Sequence, residues 1–294
     1  MEIQKAEDIN YIIITPTKNE DKYIEKTIQS VIRQTILPLS WYIIDDNSTD
    51  RTPDIIESYA GKYRYIRYIQ LPDFRPDLNS TGARSAALRN HLRSVVRDIS
   101  SEYIISIDSD ISFEPDFFEL LFACFRNNPK MGIISGHLIQ NGKPERIGDD
   151  STNRGAVRVY IRKCFDQIGR YYEGRGEDQM DTYSAQYHGW ETKTVPVYFH
   201  HLKPEGSRNF LIKNHFETGQ FKGRIPYYLP YFLLTLVKHI FRYPIMIGSF
   251  VQLYAYCRQR FFINQNPYPK EICRFIVIKQ KHWIKHFSLL IKRV

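Results

Sequence analysis

Tyr103-Ile104-Ile105-Ser106-Ile107-Asp108-Ser109-Asp110 decides the fold of this chain. The first five residues form a short apolar run rich in β-branched side chains, the pattern of a buried strand. It ends abruptly in two carboxylates one residue apart. Beyond a strand end, both can turn toward one ligand, and their mutual repulsion makes that costly unless a cation sits between them. Hard divalent cations take oxygen ligands, commonly one or two carboxylates together with substrate phosphates. The tripeptide therefore points to a metal-bound diphosphate, although Asp-x-Asp is also common in plain turns.

Outward toward the N-terminus, two more apolar runs end in polar clusters. Tyr11–Ile14 leads into Thr15-Pro16-Thr17-Lys18-Asn19-Glu20, and Trp41–Ile44 into Asp45-Asp46-Asn47-Ser48-Thr49-Asp50. Ile24, Ile28, Val31 and Ile32 lie at helical spacing between them. Ser48 or Thr49 is placed to cap a helix around Pro53–Ala60. Tyr65–Gln70 reads as a strand, Thr81–Asp98 and Pro115–Asn127 as helices. Strands alternating with helices imply right-handed crossovers and a mostly parallel sheet. In such sheets ligands bind beyond the carboxyl ends of the strands, so three polar ends side by side would form one crevice.

Past Met131 the alternation weakens. Met131–Ile139, Val157–Ile161 and Thr194–Phe199 read as strands, the last running into His200-His201. Asn141–Arg154, with Asp149 and Asp150, is a polar loop that could border an acceptor. A helix pattern starts at Gly174-Arg175-Gly176-Glu177-Asp178.

Charge divides the chain of 294 residues unevenly. Its net +9 is concentrated after Ser207, where 15 Lys and Arg face 2 Glu. There the basic residues are interleaved with aromatic and aliphatic ones. The uncharged stretches Ile225–Val237 and Tyr243–Cys257 are too short to span a bilayer. They fit an interfacial helix pair on an anionic membrane surface, or helices packed as an ordinary subdomain. The runs are too apolar for nucleic-acid binding, which is not expected. Four widely spaced cysteines fit a reducing compartment better than a disulfide framework or zinc site. Met1–Asn10 is polar and reads as no signal peptide. The expected domains are 1–206 and a basic helical extension, 207–294.

Four motifs, in order, resemble the family 2 glycosyltransferases, which have the GT-A fold: Ile13–Glu20; Ser30–Thr35 with Ile43–Asp50; Ile107–Asp110; and Gly176-Glu177-Asp178. The resemblance covers roughly Tyr11 to Ser207. It implies an α/β, Rossmann-like sheet flanked by helices and an inverting transfer from a nucleoside diphosphate sugar, UDP on family grounds. Pro16, Thr17, Glu20 and Asp46 would hold base and ribose, with Asp108 and Ser109 beside the ribose. Asp110, with Asp108, would hold a divalent Mn or Mg, and His201 could add a ligand. Ala87-Leu88-Arg89-Asn90 resembles the family segment that approaches the donor, so Arg84 and Arg89 are candidates for phosphate oxygens. Asp178 matches the family's general base, with Glu177 orienting it, though Glu-Asp also suits a helix N-terminus on capping grounds alone. Gly189-Trp190 reads as a structural turn.

The expected acceptor is a glycan or lipid-linked hydroxyl, and the expected location the cytoplasmic membrane face, held peripherally. The alternatives are a non-catalytic membrane-associated protein on the same fold and a sugar-1-phosphate nucleotidylyltransferase. The second lacks its usual phosphate loop, since Thr15–Glu20 has no glycine.

Overall fold

The computed structural model describes residues 9–71, 81–126, 128–140, 142–144, 151, 155–172, 176–203, 208–225, 227–239, 246–263 and 265–291. It divides into two compact units: Met1–Glu173 with Glu177–Pro204, and Gly174–Gly176 with Glu205–Val294.

The first unit is built on one sheet. Strand β1 (Tyr11–Thr17) is buried along its whole length. It lies between β2 (Ser40–Asp45) and β4 (Tyr103–Ile107), parallel to both, and β3 (Ile66–Gln70) extends the parallel half beyond β2. The period of two along β1 sorts its side chains into two cores. Tyr11 and Ile13 join Trp41, Ile43 and Ile105, packed with helix α1 (Ile24–Ile32) and helix α4 (Phe117–Arg126). Ile12 and Ile14 join Ile44, Ile104 and Leu92 of helix α3 (Thr81–Val95). Helices on both faces explain why these strands read as unbroken apolar runs rather than alternating ones.

Beyond β4 the sheet turns mixed. Strand β8 (Val157–Ile161) pairs antiparallel with β4 and with β6 (Met131–Gln140). Strand β9 (Glu191–His201) runs parallel to β6. Two short pieces escaped the sequence reading. β5 (Ile111–Phe113) pairs antiparallel with β9, and β7 (Lys143–Pro144) pairs with β6. Helix α5 (Arg162–Ile168) was also missed, because β8 runs into it without a turn residue. Helix α6 (Glu177–Tyr187) begins at the Glu-Asp pair.

The expected cap of helix α2 (Thr52–Ala60) is corrected. Arg51 occupies the N-cap position without a side-chain hydrogen bond, and Asp50 Oδ1 accepts from Thr52 N at 3.0 Å. Ser48 is taken up elsewhere: its hydroxyl donates to Asp45 and accepts from Asn19 N. Gly189 has φ of +85° at the end of α6, which favours glycine and makes Gly189-Trp190 a turn.

The second unit is helical: α7 (Arg208–Arg224), α8 (Leu229–His239), α9 (Ile247–Cys257), a π-helical turn (Arg258–Ile263) and α10 (Lys270–Ile291). Phe232 of α8 stacks on Tyr256 of α9 with ring centroids 4.4 Å apart. No helix among the described residues is long and apolar enough to cross a membrane.

Candidate active site

The order β2-β1-β4, all parallel, sets the three polar strand ends side by side on one edge of the sheet. The first two are tied together. Asp46 N donates to Thr17 O at 3.0 Å, and Thr49 N to Asn19 Oδ1 at 2.8 Å. Asn19 and Asn47 take φ of 52° and 53°, a left-handed conformation that asparagine tolerates better than most residues. Asp45 is fully buried and structural. It accepts from Ser48 N, and from Tyr68 OH at 3.2 Å.

Asp46 has the opposite character. It is buried yet carries two cations: Arg84 grips both carboxylate oxygens at 2.7 and 2.6 Å, and Lys18 approaches to 3.2 Å. Arg84 is therefore no solvated face of α3. The same holds for Arg89, which donates to Asp108 Oδ1 at 2.6 Å and to Ser106 Oγ at 3.0 Å.

Thr27 of α1 clamps the acidic turn. Its hydroxyl donates toward the carbonyls of Ser109 and Ile111, at 2.9 and 2.7 Å, and accepts from Ile111 N at 3.1 Å. Ser109 is thus held through its backbone. The missed strand β5 brings the metal candidates together. Its pairing sets Ile111 opposite His201, and Asp110 Oδ2 lies 3.5 Å from His201 Nε2. His201 Nδ1 is 3.0 Å from the carbonyl of Lys203. A carbonyl only accepts, so Nδ1 donates to it and holds the ring with Nε2 facing Asp110, the orienting bond commonly made by ligating histidines. Burial, and then the charge of Asp108, push Asp110 up to about 6.

Sequence reading missed Lys203. Its ammonium is 2.7 Å from Glu20 Oε1, and burial opposes its charge but the bond to Glu20 and the nearby Asp110 raise its pKa. Glu20 Oε2 and Thr17 Oγ1 are buried with no hydrogen-bond partner among the described residues. A polar atom in that state calls for a ligand or water.

These observations test the fit of a divalent cation. The Asp110 carboxylate and His201 Nε2, 3.5 Å apart, are donors of the kind a divalent cation takes, while Asp108 is engaged by Arg89. Among the described residues no third ligating side chain joins them, which leaves room for diphosphate oxygens.

Asp178 lies in the first turn of α6, about a third exposed. Its Oδ1 accepts from Gln179 N at 2.9 Å, and Oδ2 lies 3.5 Å from Arg158 Nη2. Gly155 approaches so closely that a Cβ there would come 3.2 Å from Asp178 Oδ2. Arg158 is a buried cation in the apolar strand β8. Burial opposes its charge, but Tyr160, Asp178 and Asp181 outweigh this and raise its pKa. Asp181 takes a bond from Tyr160 OH at 2.8 Å and lies 3.3 Å from Arg158 Nη1. Its enclosure pushes it up to about 6 despite the arginine. The lone charge inside Val157–Ile161 was the available signal for this network. The side chain of Glu177 and most of the Asn141–Arg154 loop, including Asp149 and Asp150, lie outside the described residues.

The family model for Glycosyl transferase family 2 matches residues 12–224. The chain is 31% identical over 139 residues to a chondroitin synthase of Escherichia coli, covering 44% of this chain but 18% of that one. It therefore spans a small part of that relative's length. Two solved structures share the fold at low identity. One is the mannosyltransferase PcManGT from Pyrobaculum calidifontis in complex with GDP-Man and Mn2+ (TM-score 0.55, 16% identity, 83% of this chain and 70% of that chain). The other is S. aureus TarS 1-349 in complex with UDP-GlcNAc (TM-score 0.55, 18% identity, 73% and 66%).

Proposed function

The chain belongs to glycosyl transferase family 2, and on that premise we propose that it moves a sugar from a nucleoside diphosphate sugar, UDP-linked by preference, to an acceptor hydroxyl with inversion. The observation that carries the reading is the pairing of Asp110 with His201 beside Asp108, on the same sheet edge as Glu20 and Asp46. Base and ribose bind against Pro16, Thr17, Glu20 and Asp46, where two buried oxygens await partners. Arg84, bound to Asp46, and Lys203, bound to Glu20, keep the pocket's charge balanced before the donor arrives and can release a proton-rich face to phosphate oxygens when it does.

Asp110 and His201 would hold a divalent cation, with Asp108 and Ser109 beside the ribose. Bound there, such a cation would supply positive charge against that developing on the leaving diphosphate. Asp178 takes the proton from the acceptor hydroxyl as the new glycosidic bond forms on the face opposite the leaving group. Arg158 fixes the Asp178 carboxylate from below, with Asp181 and Tyr160 as its counterweight.

The acceptor is a hydroxyl of a glycan or lipid-linked glycan, as in the assembly of a surface polysaccharide, and the enzyme works peripherally at the cytoplasmic face of a membrane. The chondroitin synthase relative and the composition of the second unit support that part of the reading.

The test is a thermal-shift screen of nucleoside diphosphate sugars with Mn²⁺ or Mg²⁺. One donor class should stabilise the protein only when the metal is present, by mass action. No shift with any donor contradicts the proposal.

A further inference from the structure

Helix α8 has an unusual distribution of side chains. Phe232 and Leu236 are buried, yet its outward residues Leu229, Pro230, Leu233, Leu234 and Val237 are also apolar. At about 100° per residue these five fall within an arc of about 140°. No polar residue interrupts that arc. Such an exposed apolar arc, additional to the buried face of Phe232 and Leu236, marks a surface that meets a partner or a membrane. At 11 residues α8 is roughly half the length needed to span the hydrocarbon.

The neighbouring elements repeat the pattern. On α9, Phe250 and Tyr254 lie three and seven residues from Ile247 and are 61% and 63% exposed. The π-helical turn buries Gln259 and exposes Arg258, Arg260, Phe261 and Phe262, the last at 84%. Paired phenylalanines beside arginines are suited to the headgroup level of a bilayer, where rings sit in the apolar boundary and guanidinium groups meet phosphates. On α10, Arg274, Lys279, Lys281 and Lys285 are exposed.

We propose that the outward faces of α8 and α9 and the Arg258–Ile263 turn form a surface that seats in the interface of an anionic lipid bilayer, apolar side chains inserted and basic ones on headgroup phosphates. Charge chooses the occupant. From Ser207 onward 15 Lys and Arg face 2 Glu, so a second copy of this surface would be repelled, whereas an anionic bilayer is complementary. Nucleic acid would match the charge but would leave the leucine arc without an apolar partner. The inference deepens the peripheral placement proposed above and rests on it. It does not depend on the transfer chemistry.

The experiment is sedimentation of the full chain with vesicles of phosphatidylcholine, with and without about 30% phosphatidylglycerol, the anionic composition supplying the headgroup charge this surface needs. Wild type should bind the anionic vesicles only, and release as salt rises. Phe262→Ser, and separately Val237→Asp with Phe250→Asp, should each lower the partition about tenfold or more, with unchanged far-ultraviolet circular dichroism and melting midpoint. Equal binding to neutral vesicles overturns the charge argument. Unaltered anionic binding by both variants overturns the assigned face while leaving peripheral placement intact. Absence of binding by wild type overturns both. A concentration-dependent dimer abolished by the same substitutions assigns the face to a second copy instead. Donor-dependent nucleotide release, measured on the same samples, reports separately on the transfer reading.

Discussion

The two units handle apolar surface and charge in opposite ways. Among the described residues, the sheet unit leaves Leu37, Leu39, Leu120, Tyr187 and Tyr198 as its only large exposed hydrophobics, while the much shorter helical unit has Leu233, Val237, Phe250, Tyr254, Phe261, Phe262 and several more. The sheet unit also matches buried or half-buried cations with acids: Arg84 with Asp46, Arg89 with Asp108, Arg158 with Asp178 and Asp181. The helical unit has too few acids for its cations. One unit thus buries most of its apolar surface and pairs its cations internally, while the other leaves apolar side chains and cations exposed. Charge composition already separates them, although both are rich in aromatic residues.

The sharpest contrast is between equivalent truncations. Phe118→Ala removes a fully buried ring from the sheet unit's core and should cost about 3–5 kcal/mol in denaturant melts. Phe250→Ala, on an exposed ring, should change stability by about 0.5 kcal/mol or less. Similar costs at the two positions would erase the contrast. Asp110→Asn comes next. It removes a carboxylate from the proposed cation site and should lower turnover by about 10²-fold, with a raised Mn²⁺ requirement, since such an ion contributes several kcal/mol to a charged transition state. Turnover insensitive to this change and to chelation would remove the metal from the account.

Thr27→Val is smaller. It leaves the Ile111 N–H and the Ser109 carbonyl without their hydroxyl partner and should cost about 1–3 kcal/mol, with weaker donor affinity as the acidic turn loosens. The smallest effect is on pH dependence. Asp181 binds its proton more tightly folded, at about 6, than unfolded at about 3.9. Its contribution to stability is therefore full at low pH and lost as pH rises through about 6. The melting midpoint of Asp181→Asn minus that of wild type should accordingly rise by a few °C between about pH 4 and 7. A flat difference would mean that Arg158 fully offsets the burial.

Much of this was legible from the chain. Strands β1, β2 and β4 are apolar runs with polar ends, so the sheet edge and its acidic residues could be read from pattern alone. The signal failed where elements are short or joined without punctuation. Three residues of β5 look like the tail of the acidic turn, yet their pairing with β9 sets His201 against Asp110. Lys203 and Arg158 are single cations, and nothing in the spacing tells which acid each will meet across 183 or 20 residues. Ser48 has the type of a helix cap but is claimed by Asp45 and Asn19, a choice made by tertiary contacts. The helical unit was legible in composition, while which of its apolar residues face outward required the packed helices.

The central claim is that the sheet unit binds a nucleotide sugar at one carboxylate cluster and deprotonates the acceptor at another. The most direct measurement pairs calorimetric UDP binding in the presence of Mn²⁺ with sugar-transfer turnover, for wild type and Asp178→Asn. The account predicts UDP affinity unchanged within about twofold and turnover lower by about 10³-fold, the range expected on losing a general base. Wild-type turnover in the folded variant, or loss of UDP binding in parallel with turnover, would contradict it.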